Sequence, residues 1–119
     1  MVAYQHFRDE LISILHILAN MQYQQEIWAK GRPPKDGTED FDWPMHFLLD
    51  DFSLADNPAA EIGGLLEDNN EAEVVGKVTR PMLDVFKEIG GTREPYEYIS
   101  HPKWLEVVEA AKIAIQVIK

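Results

Sequence analysis

The chain has 119 residues and a formal net charge of −10, and its length is typical of a single domain. Hydrophobic residues make up 45% of it, which is enough for a core and excludes disorder along the whole chain. The acid excess excludes a nucleic-acid binder, which meets phosphates with Lys and Arg, and also a protein that docks on anionic membranes. The absence of cysteine excludes disulfides, thiolate metal sites and cysteine nucleophiles.

No targeting or membrane-spanning segment is expected. Asp9 and Glu10 stand where a signal peptide would begin its apolar core. No run approaches the roughly 18 apolar residues that a spanning helix needs. We therefore expect residues 1–119 to form one domain of a cytoplasmic protein.

The first predicted helix runs from Val2 to Trp28. Its apolar residues recur at spacings of three and four, which is typical of a helix that buries one face. Tyr4 and Phe7 belong to this stripe, whose width is typical of a helix that packs against two or more partners. A polar loop with two Gly or Pro clusters follows over residues 30–40.

Two helical starts follow the loop. A second helix is predicted to start near Asp42, whose side chain can cap free backbone N–H groups. Pro44 supports this start because proline loses no hydrogen bond at an early helical position. Asn57-Pro58 repeats this signal for a short third helix. Gly63 and Gly64 weaken that helix, and we expect another helix to pack closely against the pair.

Asn70 begins a fourth predicted helix, in which Pro81 should cause a kink or a split near Thr79. A connector with one helical turn around Tyr96 leads to a last helix that starts at His101. No segment alternates apolar and polar residues between turn pairs, as hairpins would. The predicted fold is all-α, an irregular bundle of three long and two short helices.

The charge is concentrated in residues 36–76, which we call the acidic block. The block holds 12 of the 21 acidic residues and none of the 11 basic ones, so the remainder of the chain has nine acids, 11 bases and a net charge of +2. Such a block is a solvated surface, a docking surface for a basic partner, or a divalent-cation site. Aromatic residues interleave with it, and Phe47 and Phe52 are expected in the core, whereas core and surface both stay open for Phe41 and Trp43.

The docking interpretation selects the charged, histidine and aromatic residues around the second and third helices. The candidate partner-binding residues are Asp40, Phe41, Asp42, Trp43, His46, Asp50, Asp51, Asp56, Glu67 and Asp68. We predict no catalytic residue and no cofactor.

His46 and Asp50 are weak candidates for metal ligation, because a spacing of four places them on one helix face. A simple intrahelical pair is the alternative for these two residues. Glu67 and Glu71 are also four apart, but Asn69-Asn70 is expected to interrupt the helix between them. A second set for a small divalent-metal-dependent hydrolase would combine His46, Asp50 and Asp51 with Glu67, Asp68 or Glu71.

Two stretches carry a family resemblance. The first, from His46 to Pro58, contains F-x-x-D-D-x-x-L-A-D-x-P, and the second contains H-P-x-W-x-x-V-V from His101. Together they resemble a family of small acidic, mostly uncharacterised bacterial helical proteins. Proteins of this kind are often immunity proteins of toxin systems, and that likeness implies a binding protein without catalytic residues.

The resulting hypothesis is a non-catalytic, immunity-type inhibitor that docks an acidic face onto a basic protein, such as a toxin. A dense carboxylate surface can occupy the basic groove of a nuclease in place of phosphates. The alternatives are the metal-dependent hydrolase and a homo-oligomeric module, in which the apolar first and last helices would form a homodimer interface.

Overall fold

The computed structural model describes residues 2–29, 42–90 and 94–118, and the side chains of 29, 42 and 43 lie outside the description. Three long helices organise it: α1 (Gln5–Leu18), α4 (Asn69–Ile89) and α6 (Trp104–Val117). Helix α6 packs along α4 and also contacts α1. The predicted all-α class is confirmed, since the described residues form no strand and pair only at an isolated bridge between Ile62 and Leu66.

The prediction of one helix from Val2 to Trp28 is wrong, because α1 ends at Leu18. A new start follows at Asn20, whose side chain accepts a hydrogen bond from the backbone N–H of Tyr23. Helix α2 (Met21–Tyr23) then continues as a π-helical segment, Gln24–Ala29. Asparagine competes for backbone hydrogen bonds and favours caps, so it divides an otherwise continuous apolar pattern.

Gln24 holds this break in place. Its side chain is fully buried, and its amide donates to the carbonyls of Ile17 and Leu18 at 3.0 and 2.9 Å. Its amide oxygen accepts from the indole N–H of Trp104 at 2.8 Å. A single glutamine thus satisfies terminal carbonyls of α1 and joins that helix end to the start of α6.

The described chain contains more short elements than the predicted two. Besides α2, these are α3 (Asp42–His46), which continues as a π-helical segment over Phe47–Asp51, a 3₁₀ turn at Pro58–Glu61, and α5 (Pro95–Ile99). The turn starts at Asn57-Pro58, and α5 contains Tyr96, as expected from the sequence.

Helix α4 begins at Asn69, one residue before the predicted start, with Asp68 as its cap: the carboxylate accepts from the backbone N–H of Glu71 at 3.0 Å. The helix is continuous through Pro81, so of the two predicted effects, a kink or a split near Thr79, the split does not occur. Thr79 and Pro81 both lie on the buried side of α4, where apolar packing can offset the loss of one backbone donor.

The core is continuous across the long helices and the chain between α3 and α4. Trp104 is fully buried, as are Leu11, Met82 and Leu65. Phe47 is buried as expected, whereas Phe52 is only partly buried at the edge of the core. Hydrogen bonds from Ala3, Tyr4 and Arg8 hold residues 63–71 of the acidic block against the amino-terminal end of α1.

Candidate docking surface

A row of four aromatic rings connects the amino-terminal end of α1 with the acidic block. Ring centroids are 6.3 Å apart between Tyr4 and Phe7, 5.3 Å between Phe7 and Phe52, and 4.9 Å between Phe52 and Phe47. Exposure is graded along this aromatic row: Tyr4 is 55% exposed, Phe7 39% and Phe47 3%. The row therefore has one end in the core and the other in solvent.

The exposed end of the row is held by the backbone of the glycine pair. The N–H groups of Ala3 and Tyr4 donate to the carbonyls of Gly63 and Gly64 at 2.8 and 3.0 Å. Gly63 has a φ of +94°, which favours glycine. A Cβ on Gly64 would lie 3.2 Å from Cδ2 of the Tyr4 ring. Close packing at the pair is as expected, but the chain leading into α1 supplies it, not a helix.

Behind the row, a buried ion pair fixes the acidic block to α1. Arg8 donates from Nη1 and Nη2 to the two carboxylate oxygens of Glu71 at 2.7 and 2.9 Å. Nη1 also donates to the Leu65 carbonyl at 2.9 Å, and one Glu71 oxygen accepts from the Glu67 N–H at 2.8 Å. This bidentate geometry is the strong form of an arginine–carboxylate pair.

The charged state of Glu71 is maintained by these partners. Burial alone raises the pKa of its carboxyl, but hydrogen bonds from Arg8 and from the Glu67 backbone outweigh burial, so the pKa lies below its usual range. The hydrogen bond with Glu71 raises the pKa of Arg8, against the opposing effect of burial. One acid of the block is thus neutralised inside the protein and is not available to a partner.

The structure places the predicted binding residues in three groups. Asp40 and Phe41 lie outside the described residues. Asp42 and Trp43 begin α3, and their side chains are not described. The remaining six are all exposed, and they are His46, Asp50, Asp51, Asp56, Glu67 and Asp68.

Of these six, His46 and Asp50 are in direct contact. Nδ1 of His46 lies 2.7 Å from Oδ2 of Asp50, and their side chains are 66% and 64% exposed. They form the intrahelical pair that the spacing allows. Glu67 and Glu71 do not pair with each other as ligands, because the Glu71 carboxylate binds Arg8 and the Glu67 backbone.

No three His, Asp or Glu side chains in residues 2–29, 42–90 and 94–118 are grouped so that they could hold a metal ion. Within the same residues, no helix has the length and apolar character needed to cross a membrane.

Basic side chains line a part of the surface that borders the acidic block, where Lys77 lies 3.7 Å from Glu73. A shallow cleft of about 320 Å³ is lined by Lys77, Arg80 and Lys103, with Pro81, Asp84 and Glu106. Lys103 pairs with Asp84 at 2.8 Å, and this contact lowers the pKa of Asp84. The cleft lies between α4 and α6, whose basic residues fall outside the acidic block.

The exposure of Tyr4 and Phe7 was not predicted from the sequence, in which both belong to the apolar stripe of the first predicted helix. Both residues follow the helical spacing of the buried stripe in α1, but they are exposed while Val2 and Arg8, close to them in the chain, are buried. No signal in the sequence separates the buried part of that stripe from its exposed end. Arg8 is the converse, a charged residue buried because Glu71 reaches it from α4.

The comparisons agree with an uncharacterised family. No curated protein and no solved structure matches the chain. A family model matches residues 2–119, and its description is a domain of unknown function, DUF7945. The chain therefore belongs to the DUF7945 family.

Proposed function

We propose that this chain is a non-catalytic binding protein that docks an acidic face onto a basic protein, as an immunity-type inhibitor docks onto its toxin. The observation that supports the proposal is the one-sided charge of the exposed surface between residues 44 and 76. All exposed residues in that range whose side chains carry a full charge are Asp or Glu, and the range contains no Lys or Arg. They are Asp50, Asp51, Asp56, Glu67, Asp68 and Glu73.

The Arg8–Glu71 pair adds to this argument. Within the described part of the acidic block, the one buried ion pair joins Arg8 to Glu71. Because both side chains are buried, Arg8 does not neutralise any of the exposed acids. Of the exposed carboxylates, Glu73 is paired with Lys77 at 3.7 Å and Asp50 with His46 at 2.7 Å, and the remaining four give the surface a negative field. Such a field raises the rate of association with a basic surface and opposes binding to an acidic one.

The proposed partner is a toxin whose basic groove normally receives nucleic acid. Carboxylates can occupy phosphate positions in that groove and so exclude the substrate. The proposal keeps the cytoplasmic location expected from the sequence, since a producing cell must block the toxin where it is made. It requires no cofactor.

The test uses the protein encoded next to this gene, purified with and without this chain. We expect complex formation by calorimetry, protection of cells that express the neighbour, and association that slows as salt screens the charges. The variant Asp50→Lys/Asp51→Lys should lose binding and protection.

The matched control is Glu106→Lys/Glu109→Lys, which makes the same change in net charge at two exposed positions of α6. It should bind as the unmodified chain does. Equal binding by both variants, or full protection by the Asp50/Asp51 variant, would refute an acidic docking face.

A further inference from the structure

The exposed end of the aromatic row has no role in the core. Tyr4 is 55% exposed, Phe7 is 39% exposed, and Ile62, next to the glycine pair that carries Tyr4, is 36% exposed. Scattered apolar residues are ordinary on a surface. Here the two exposed rings continue a series of edge-to-face and tilted ring contacts that reaches the core at Phe47, so these contacts fix where the two rings lie.

Carboxylates lie beside the row. Asp51 precedes Phe52 in the chain, and Oε2 of Glu61 accepts a hydrogen bond from the backbone N–H of Ser53 at 2.8 Å, directly after Phe52. On α1, Oε2 of Glu10 lies 3.9 Å from Nε2 of His6. The His6 ring in turn lies 5.6 Å from that of Phe7. The exposed rings therefore lie in a neighbourhood that carries carboxylates from α1 and from the acidic block.

We propose that the aromatic row is the anchor of the docking surface and that it receives arginine side chains of the basic partner. This inference rests on the proposed function, because it supplies the specific contact for the same acidic surface. The charges steer a cationic segment to the surface, and the rings then select the guanidinium group. Buried or half-buried aromatic anchors inside a charged rim are typical of binding surfaces.

Arginine is favoured over lysine by the chemistry of the two cations. A guanidinium is planar and weakly hydrated, so it stacks on an aromatic face while it donates hydrogen bonds to carboxylates at the rim. An ammonium is compact and strongly hydrated, so its binding depends more on charge and less on stacking than that of a guanidinium. A surface made only of carboxylates would not distinguish two peptides of equal charge in this way.

The experiment measures the fluorescence anisotropy of two labelled peptides of equal length, an oligoarginine and an oligolysine, at about 0.1 M salt, where the screening length is about 10 Å. The unmodified chain should bind the oligoarginine more tightly. Tyr4→Leu and Phe7→Leu keep an apolar side chain of similar size but remove the ring. Each should weaken oligoarginine binding about two- to fivefold and leave oligolysine binding unchanged.

Tyr96→Leu is the matched control, because Tyr96 is 53% exposed and lies on α5, outside the row. It should change neither affinity. Circular dichroism and thermal unfolding check that each variant folds. Phe7 also contacts Phe52, so if Phe7→Leu fails to fold, Tyr4→Leu gives the result by itself.

Equal affinity of the unmodified chain for both peptides would overturn the inference, as would oligoarginine binding that is unaffected by Tyr4→Leu. Asp50→Lys/Asp51→Lys separates this failure from failure of the proposed function. That variant should weaken both peptides together. If it weakens neither, the acidic docking face is wrong, whereas a loss on charge reversal without any effect of the rings refutes only the aromatic anchor.

Discussion

Removing one member of the Arg8–Glu71 pair should destabilise the protein more than the loss of an ordinary hydrogen bond. The two side chains are 4% and 5% exposed, and their charged atoms are 2.7 Å apart, so water cannot replace a missing partner. Glu71→Gln leaves a buried guanidinium, and Arg8→Met leaves a buried carboxylate. Breaking a buried pair in this way costs about 3–5 kcal/mol.

The double variant Arg8→Met/Glu71→Gln removes both charges. It still leaves the Leu65 carbonyl without the Arg8 donor, and an unsatisfied buried group costs about 1–3 kcal/mol. The two single losses together would amount to about 6–10 kcal/mol. The double-mutant cycle should therefore show a coupling energy of about 3 kcal/mol or more, well above the additive limit for independent sites.

Urea unfolding at neutral pH, followed by circular dichroism, measures all four free energies of unfolding. A typical domain is stable by about 5–15 kcal/mol, so the single variants should remain measurable at low temperature. A loss below about 1 kcal/mol for Glu71→Gln would refute the buried pair, because such a value is typical of an exposed one. Additive single losses would show that the two side chains do not interact.

The remaining predictions concern pH, the α1–α6 junction and the glycines. The pKa of Glu71 in the folded protein is lowered from 4.5. Its carboxylate therefore stabilises the fold above pH 4.5, and this stabilisation is lost as the pH falls through the folded-state pKa. The free energies of unfolding of Glu71→Gln and of the unmodified chain should therefore converge at low pH, as measured by acid unfolding. Trp104→Phe leaves the buried Gln24 oxygen without its donor and should lower the free energy of unfolding by about 1–3 kcal/mol, measured by urea titration; no change would refute that bond. Gly63→Ala should cost about 1–2 kcal/mol because of its positive φ. Gly76→Ala, in the interior of α4, should stabilise by up to about 1 kcal/mol once the Arg80 side chain moves aside, and thermal unfolding of the two variants should show shifts of opposite sign.

Much of the helical structure follows from local sequence. Asn57-Pro58 and Pro95 set short helical turns because proline loses no hydrogen bond at an early helical position. Asp68 and Gly90 bound α4 by capping and by a positive φ of 86°. These signals depend on the nearest few residues, so a single sequence carries them completely.

The division of the first predicted helix was less accessible. Asn20 is a recognisable cap, but the apolar spacing continues across it. Gln24 stabilises the break through contacts with Ile17, Leu18 and Trp104, the last of them 80 positions away. A partner at that separation leaves no local signal in the chain.

The sequence by itself determined the helical class and the concentration of acidic residues in one block, because periodicity, capping and charge are properties of neighbouring residues. The tertiary structure alone decided which members of those patterns are exposed. It buried Glu71 by pairing it with Arg8, and it left Tyr4 and Phe7 exposed although Val2 and Arg8, close to them in the chain, are buried. The physical reason is that the burial of a side chain depends on which distant segments pack against it, and only the tertiary structure determines those contacts.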